Sequence, residues 1–460
     1  MVRLFCVRWK LLVLCLGAVL CPIFATAAPY EEPPTISAGM IIPAEKIVGD
    51  RYKVVADVAT DGFLTRAIIE SDFGLLEAVG PGMLSVRLHE VEALAKLEEL
   101  ESSDEFQKGA QQSFDAKLDA FKQLADKPEE TADGIGEGVN RFFKRVKRST
   151  KTGIQKASDV LNEETPGVTE GGGGEKLPGA SALSQIGSED QGGEAESKYT
   201  KAAKASGDVA INILGFDDSR RKLAKRLGVD PYTTNAVLAQ KLDEVTRSIF
   251  AGEFAVDVAT SLIPGSIIIS ASSLATNWVW DTPPGDLRVA IENKLLTMRF
   301  TQDEIDRLLR HRWYPLSFQA ELTRALESMQ DVSGRTDIMP LALSVTGYDQ
   351  ARFVVYTLRM LGRYHHTVES LDSIRVSGTI TGYDNNQNMI VAAPVDHVSW
   401  TADLDKFSGR SEFEEENLAG EKQIFIAGVF TELAHQALTE RGWKLFENSE
   451  LLELNDVTAE

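Results

Sequence analysis

The chain has 460 residues, 43% of them hydrophobic and 25% charged. That composition supports two or three folded domains and excludes a collagen, a disulfide miniprotein and a wholly disordered chain. The formal net charge of −21 argues against a general nucleic-acid binder, whose phosphate contacts need a basic face.

The first segment reads as an export signal. Arg3, Arg8 and Lys10 form a positive start, and Leu11 to Phe24 is an apolar run too short to span a bilayer comfortably. Ala25-Thr26-Ala27 supplies small residues for a peptidase, so the expected mature chain begins at Ala28. All three cysteines, Cys6, Cys15 and Cys21, precede that point. The mature protein then has no disulfide, thiol nucleophile or zinc thiolate. Losing the three basic residues takes its charge to −24. A periplasmic or secreted location is expected.

Residues 28–48 contain several prolines and little periodicity, and read as a leader arm. From there to 161 the sequence predicts a β-meander followed by amphipathic helices. Tyr52 to Ala59 and Phe63 to Glu70 read as strands joined at Thr60-Asp61-Gly62, since Asp-Gly suits a hairpin turn. After Gly80-Pro81-Gly82, the alternation of Leu84, Val86 and Leu88 predicts another short strand. Val91, Leu94, Leu97 and Leu100 then share a helical face, and Ser102-Ser103-Asp104-Glu105 has the form of a capping box. Phe106, Ala110, Phe114, Leu118, Phe121 and Leu124 make an apolar stripe of the kind that packs on a neighbouring helix.

Residues 162–206 hold Gly171 to Gly174 and are rich in Ser, Glu and Gln. Such a composition buries too little apolar surface to offset chain entropy and is expected to be a disordered linker. The remainder, 207–460, reads as a helical domain ending in a small mixed sheet. Leu223 and Leu227 lie on a short basic helix, and Asn235 is placed to cap a helix from Ala236. Phe250 to Trp280 is strongly apolar and broken at Pro264-Gly265, which favours a buried helical hairpin over a membrane-inserting one. Helices are expected near 287–299, 302–311 and 316–330, and a longer one from Asp349 to Leu371. Ile374 to Thr381 and Met389 to Val395 are read as a hairpin around Tyr383 to Asn386. Gln423–Ala427, Thr431–Arg441 and Trp443–Phe446 read as a β-α-β run. The expected fold class is α+β and mostly helical.

No Walker A loop, dinucleotide fingerprint or nucleophile elbow is present. Asp384, Asn386 and Asn388 have the spacing of the first three calcium-loop ligands. Met389 and Val395 occupy the positions that need Gly and Glu, so a plain turn is the better reading. For a metal, His365 and Glu369 lie at i, i+4, Glu432 and His435 have a Glu-x-x-His form, and Asp396-His397 follows a strand. His365, Glu369, His397 and His435 are therefore the candidate ligands of a metal-dependent enzyme, should they converge. Val139, Phe142, Phe143 and Val146 form one side of a helix. Arg141, Lys144, Arg145, Lys147, Arg148 and Lys151 form the other, as in a helix that lies on an anionic surface. The leading functional expectation is a non-enzymatic, exported envelope protein that binds a protein partner or an anionic membrane surface. Neither a cofactor nor an oligomeric state is specified by the sequence.

Overall fold

A computed structural model of the chain describes residues 30–104, 106, 216–251, 277–413 and 419–452. The N-terminal sheet is built on strand β5 (Thr65–Ser71). Its residues alternate, with Thr65, Ala67 and Ile69 buried and Arg66, Ile68 and Glu70 exposed. Strands β1 (Ile36–Ser37), β2 (Val48–Gly49), β3 (Tyr52–Val54) and β4 (Asp57–Thr60) complete one side in the order β1-β4-β5-β3-β2. Strand β6 (Gly74–Val79) pairs only with β5, antiparallel, on the other side. The hairpin expected at Asp61-Gly62 is there: Gly62 has φ +93°, and the Asp61 carboxylate accepts the N–H groups of Phe63 and Leu64 at 3.0 and 2.8 Å.

Three sequence expectations change here. The single strand Tyr52–Ala59 is two strands, β3 and β4, paired with opposite ends of β5. The leader arm contributes β1 and β2 to the sheet and also packs against the C-terminal part of the chain. Glu31 accepts the Trp400 N–H and the Thr431 hydroxyl, both at 2.5 Å, and Tyr30 donates to Asp405 at 2.7 Å. Residues 84–88 are not a strand but the opening of helix α1 (Met83–Ser102). Leu84, Val86 and Leu88 alternate as in a strand, and Leu84 and Leu88 also stand four apart as on one face of a helix. The helical reading prevails because Leu84, Leu88 and Val91 together cover the buried face of the sheet.

Helix α1 is the joint of the molecule. Its first half packs on the sheet, and Leu94, Leu97 and Leu100 pack on helix α2 (216–227) and helix α3 (Ala236–Ala251). At its end the Ser103 hydroxyl accepts the Phe106 N–H at 3.3 Å, as a cap does. Asn235 caps α3 through Val237 and Leu238 at 3.1 and 3.3 Å, as expected. Next come α4 (Asn277–Asp281), α5 (Pro284–Thr297), α6 (Gln302–Arg310), α7 (Leu316–Glu327) and the short α8 (Ile338–Ala342). They pack around α9 (Tyr348–Thr367), in which Val355, Leu358 and Leu361 are fully buried.

The C-terminal sheet has the order β13 (Trp443–Phe446), β11 (Lys422–Ile426), β9 (Met389–Ala393), β8 (Ile380–Asp384), β7 (Leu371–Val376). Its first members, β7 (Leu371–Val376), β8 (Ile380–Asp384) and β9 (Met389–Ala393), are antiparallel neighbours. Helix α9 ends at Thr367, so Leu371 opens a strand instead of closing the helix. The expected single hairpin is two: the chain also reverses at Gly378, where φ is +66°. Strand β10 (His397–Val398) and helix α10 (Ala402–Ser408) lie between β9 and β11 (Lys422–Ile426). Strand β12 (Val429–Phe430) pairs with β10, and β11, α11 (Glu432–Glu440) and β13 (Trp443–Phe446) form the expected β-α-β run. The parallel pairing of β9, β11 and β13 buries β11 on both faces, against α9 on one side and α11 on the other.

The expected signal peptide, the stripe beyond Phe106, the linker and the basic segment 139–151 lie outside the described residues. Of the apolar stretch 250–280, the described end is core: Val279 and Trp280 are buried, and the Trp280 indole donates to Val229 O at 2.9 Å. Among the described residues no helix is long and apolar enough to cross a membrane.

Candidate functional site

A cleft of about 930 Å³ opens between the N-terminal sheet and the helices, within the range of ligand sites. One side is the β5–β6 hairpin, through Arg66, Glu77 and Val79. The other is the segment that enters α9, where Val345 lines the wall and Tyr348 and Phe353 are exposed. The β7–β8 turn at Gly378 and Thr379 also borders it. The sequence builds this opposition with a tight turn: Gly80 and Gly82, both at positive φ, swing the chain from β6 into α1.

Deeper in the cleft, the buried Arg352 ties the two walls together and the half-buried Arg87 adds a contact from α1. Arg352 of α9 donates to Val79 O at 2.6 Å and pairs with Asp349 at 3.0 Å. Arg87 of α1 reaches Glu77 O at 3.4 Å, Glu90 at 2.6 Å and the Thr234 hydroxyl at 3.0 Å. The Thr357 hydroxyl lines the same cleft, is buried, and has no hydrogen-bond partner among the described residues. Buried polar atoms are normally paired, which leaves this hydroxyl available to a group that enters the cleft. Tyr348 meets Trp313 edge-to-face at 5.1 Å, and the Arg312 guanidinium lies 4.2 Å over the Trp313 ring. Aromatic and arginine side chains of this kind anchor binding surfaces.

Beside the cleft is a small cavity of about 50 Å³ between α1 and the loop into α3. Glu90, 3% exposed, accepts from Arg87, from Thr233 at 2.5 Å and from Asn235 at 3.0 Å. Asp230 lines the same cavity and accepts the Tyr232 N–H at 2.7 Å. Burial of this site, with Glu90 nearby, raises the Asp230 carboxyl from 3.8 to about 6. A pKa raised on folding means the protonated form is the favoured one. Its stabilising contribution is complete below pH 3.8 and is lost as pH rises through about 6, a difference of up to about 3 kcal/mol. Asp230→Asn keeps an acceptor for Tyr232 and removes the charge. It is expected to raise the melting temperature at pH 7.5 and to have a much smaller effect at pH 4.5. An equal gain at both pH values would show that charge at this position is not the cause.

The metal candidates occupy separate elements. Helix α9 ends before Glu369, so His365 and Glu369 do not share a helical face. His365 Nδ1 accepts the Leu371 N–H at 2.9 Å, while Glu369 accepts from Ser370 at 3.1 Å and from Asn386 at 3.4 Å. His397 is buried on β10, with its Nε2 lacking a partner among the described residues, and His435 is exposed on α11. Among the described residues no three His, Cys, Asp or Glu side chains are grouped to hold a metal ion. Asp384 is a turn residue, as expected: it accepts the N–H groups of Asn386 and Asn388 at 3.0 and 2.8 Å and the Tyr364 hydroxyl at 3.0 Å. The surface candidates Arg141, Phe142, Phe143, Lys144, Arg145, Lys147 and Arg148 lie outside the described residues.

Sequence reasoning did not find the cleft. One signal was available: Arg352 and Arg359 fall seven apart on the buried side of a helix, where an arginine needs partners from elsewhere in the fold. Comparison with protein-family models, curated proteins and solved structures finds no match to this chain.

Proposed function

We propose that the protein is an exported binding protein that holds its ligand in the cleft between the N-terminal sheet and α9. The observation that supports this most directly is the cleft itself, with a lining that mixes apolar side chains such as Val345 and Phe353 with tethered arginines, and a buried Thr357 hydroxyl without a partner among the described residues. A large concave site is where binding is expected first. Export follows from the composition of residues 1–27, and a role in binding rather than catalysis fits the absence of a catalytic motif in the sequence.

Ligand-observed NMR with a fragment library tests the reading. Phe353 is 37% exposed, so Phe353→Glu places a charge in the cleft at little cost to the core. Fragments that bind the wild-type protein are expected to lose most of their signal with this variant. A set of hits indifferent to Phe353→Glu would remove the cleft as the binding site.

A further inference from the structure

We propose that the cleft takes an uncharged saccharide, stacked on Phe353 and held at its rim by Gln350 and Thr357; this rests on the cleft being the binding site. The three residues stand three and four apart on α9, and all of them line the cleft. Helical geometry sets them along one face over about 10 Å. Phe353 is 37% exposed, so part of its ring is open to a ligand. Gln350 is fixed by its oxygen, which accepts the Thr346 N–H at 2.7 Å and the Thr346 hydroxyl at 3.1 Å. Its NH₂ group is thereby turned the other way as an oriented donor. One turn beyond Phe353, the Thr357 hydroxyl is buried without a partner among the described residues.

The charges of the cleft cancel. Each of its arginines has a carboxylate: Arg66 lies 3.2 Å from Glu77, Arg87 lies 2.6 Å from Glu90, and Arg352 lies 3.0 Å from Asp349. A charged ligand would compete with these pairs, whereas an uncharged one leaves them intact. Among uncharged ligands an extended peptide is disfavoured, because the β6 carbonyls of Glu77 and Val79 are already taken by Arg87 and Arg352. A purely apolar ligand would strip water from Gln350 and from the hydroxyls of Tyr348 and Thr379 and return no hydrogen bond. A sugar ring suits both kinds of surface. Its faces are C–H bonds, whose partial positive charge meets the negative face of an aromatic ring. Its rim is made of hydroxyls, which both donate and accept. The cleft's volume of about 930 Å³ is near the upper end of ligand sites, so the expected ligand is an oligosaccharide rather than a single ring.

The test is a printed array of neutral and acidic glycans probed with the labelled full chain, followed by calorimetry with the best-bound soluble oligosaccharide. A neutral glycan is expected to give the strongest signal, with an affinity that salt does not change. Phe353→Ala is expected to weaken binding about tenfold, and Phe353→Tyr, which keeps the ring, to stay within about threefold of wild type. Gln350→Ala removes the oriented donor and is expected to weaken binding about five- to tenfold, the scale of one hydrogen bond. Gln350 and Phe353 are both exposed, and unchanged melting temperatures show that the variants are folded. No bound glycan on the array, or affinity indifferent to Phe353→Ala, overturns the saccharide. A strongest signal from acidic glycans that fades with added salt also overturns it. If fragments still respond to Phe353→Glu in either case, the cleft remains the binding site and only the ligand class falls.

Discussion

Glu90→Ala is expected to cost about 3–5 kcal/mol of stability, the scale for removing one partner of a buried ion pair. The Glu90 and Arg87 side chains are only 4% and 12% exposed. Glu90 is also the acceptor that joins α1 to residues 143 and 145 positions later in the chain, Thr233 and Asn235. Its bond to the Asn235 Nδ2 group orients the amide whose oxygen caps α3. One substitution therefore leaves a buried guanidinium short of its anion, two side-chain donors unmet and a helix cap loosened. Glu90→Gln retains the shape but points an N–H₂ toward groups that are themselves donors, and an intermediate loss of about 1–3 kcal/mol is expected. Urea unfolding of the three proteins measures this. A loss below about 1 kcal/mol for Glu90→Ala would mean that the seam is held by its apolar contacts alone.

Gly334→Ala is expected to be comparably damaging for a different reason. Gly334 has φ +77°, and a Cβ built there would lie 2.1 Å from Ile374 O. The segment cannot simply move away, because the adjacent Ser333 forms a parallel bridge to β7. Its N–H donates to Asp372 O at 3.0 Å, and its carbonyl accepts from Ile374 at 2.8 Å. The left-handed conformation costs an L-residue about 1–2 kcal/mol, and loss of two backbone hydrogen bonds adds about 0.5–1.5 kcal/mol each. A fall of about 2–5 kcal/mol follows. Gly39→Ala is the control, since a Cβ there meets nothing closer than 3.7 Å, and is expected to change stability by less than about 1 kcal/mol. Thermal melts of the two variants separate the cases, and equal effects would show that the contact with Ile374 is not the source.

What the sequence determined by itself was local. The stripe Val91, Leu94, Leu97 and Leu100 specified a buried helical face, Asn235 specified a cap, Asp61-Gly62 a hairpin and Asp384 a turn, because each rests on periodicity or on hydrogen bonds within a few residues. The β-α-β run was legible for the same reason: apolar runs of strand length flank one amphipathic helix. The sequence was ambiguous where two periods coincide, as at Leu84 to Leu88, and where a short strand lacks strict alternation, as in β6. Tertiary structure alone decided the rest. Helix α9 stops at Thr367, which parts His365 from Glu369, and the four metal candidates are set on different elements. Glu90 finds partners some 145 residues away, and β6 becomes a sheet edge whose outward carbonyls meet arginines from α1 and α9. These features depend on which segments the folded chain brings side by side. No residue carries that information locally, since the groups that satisfy a buried charge or cover a strand edge come from distant parts of the chain.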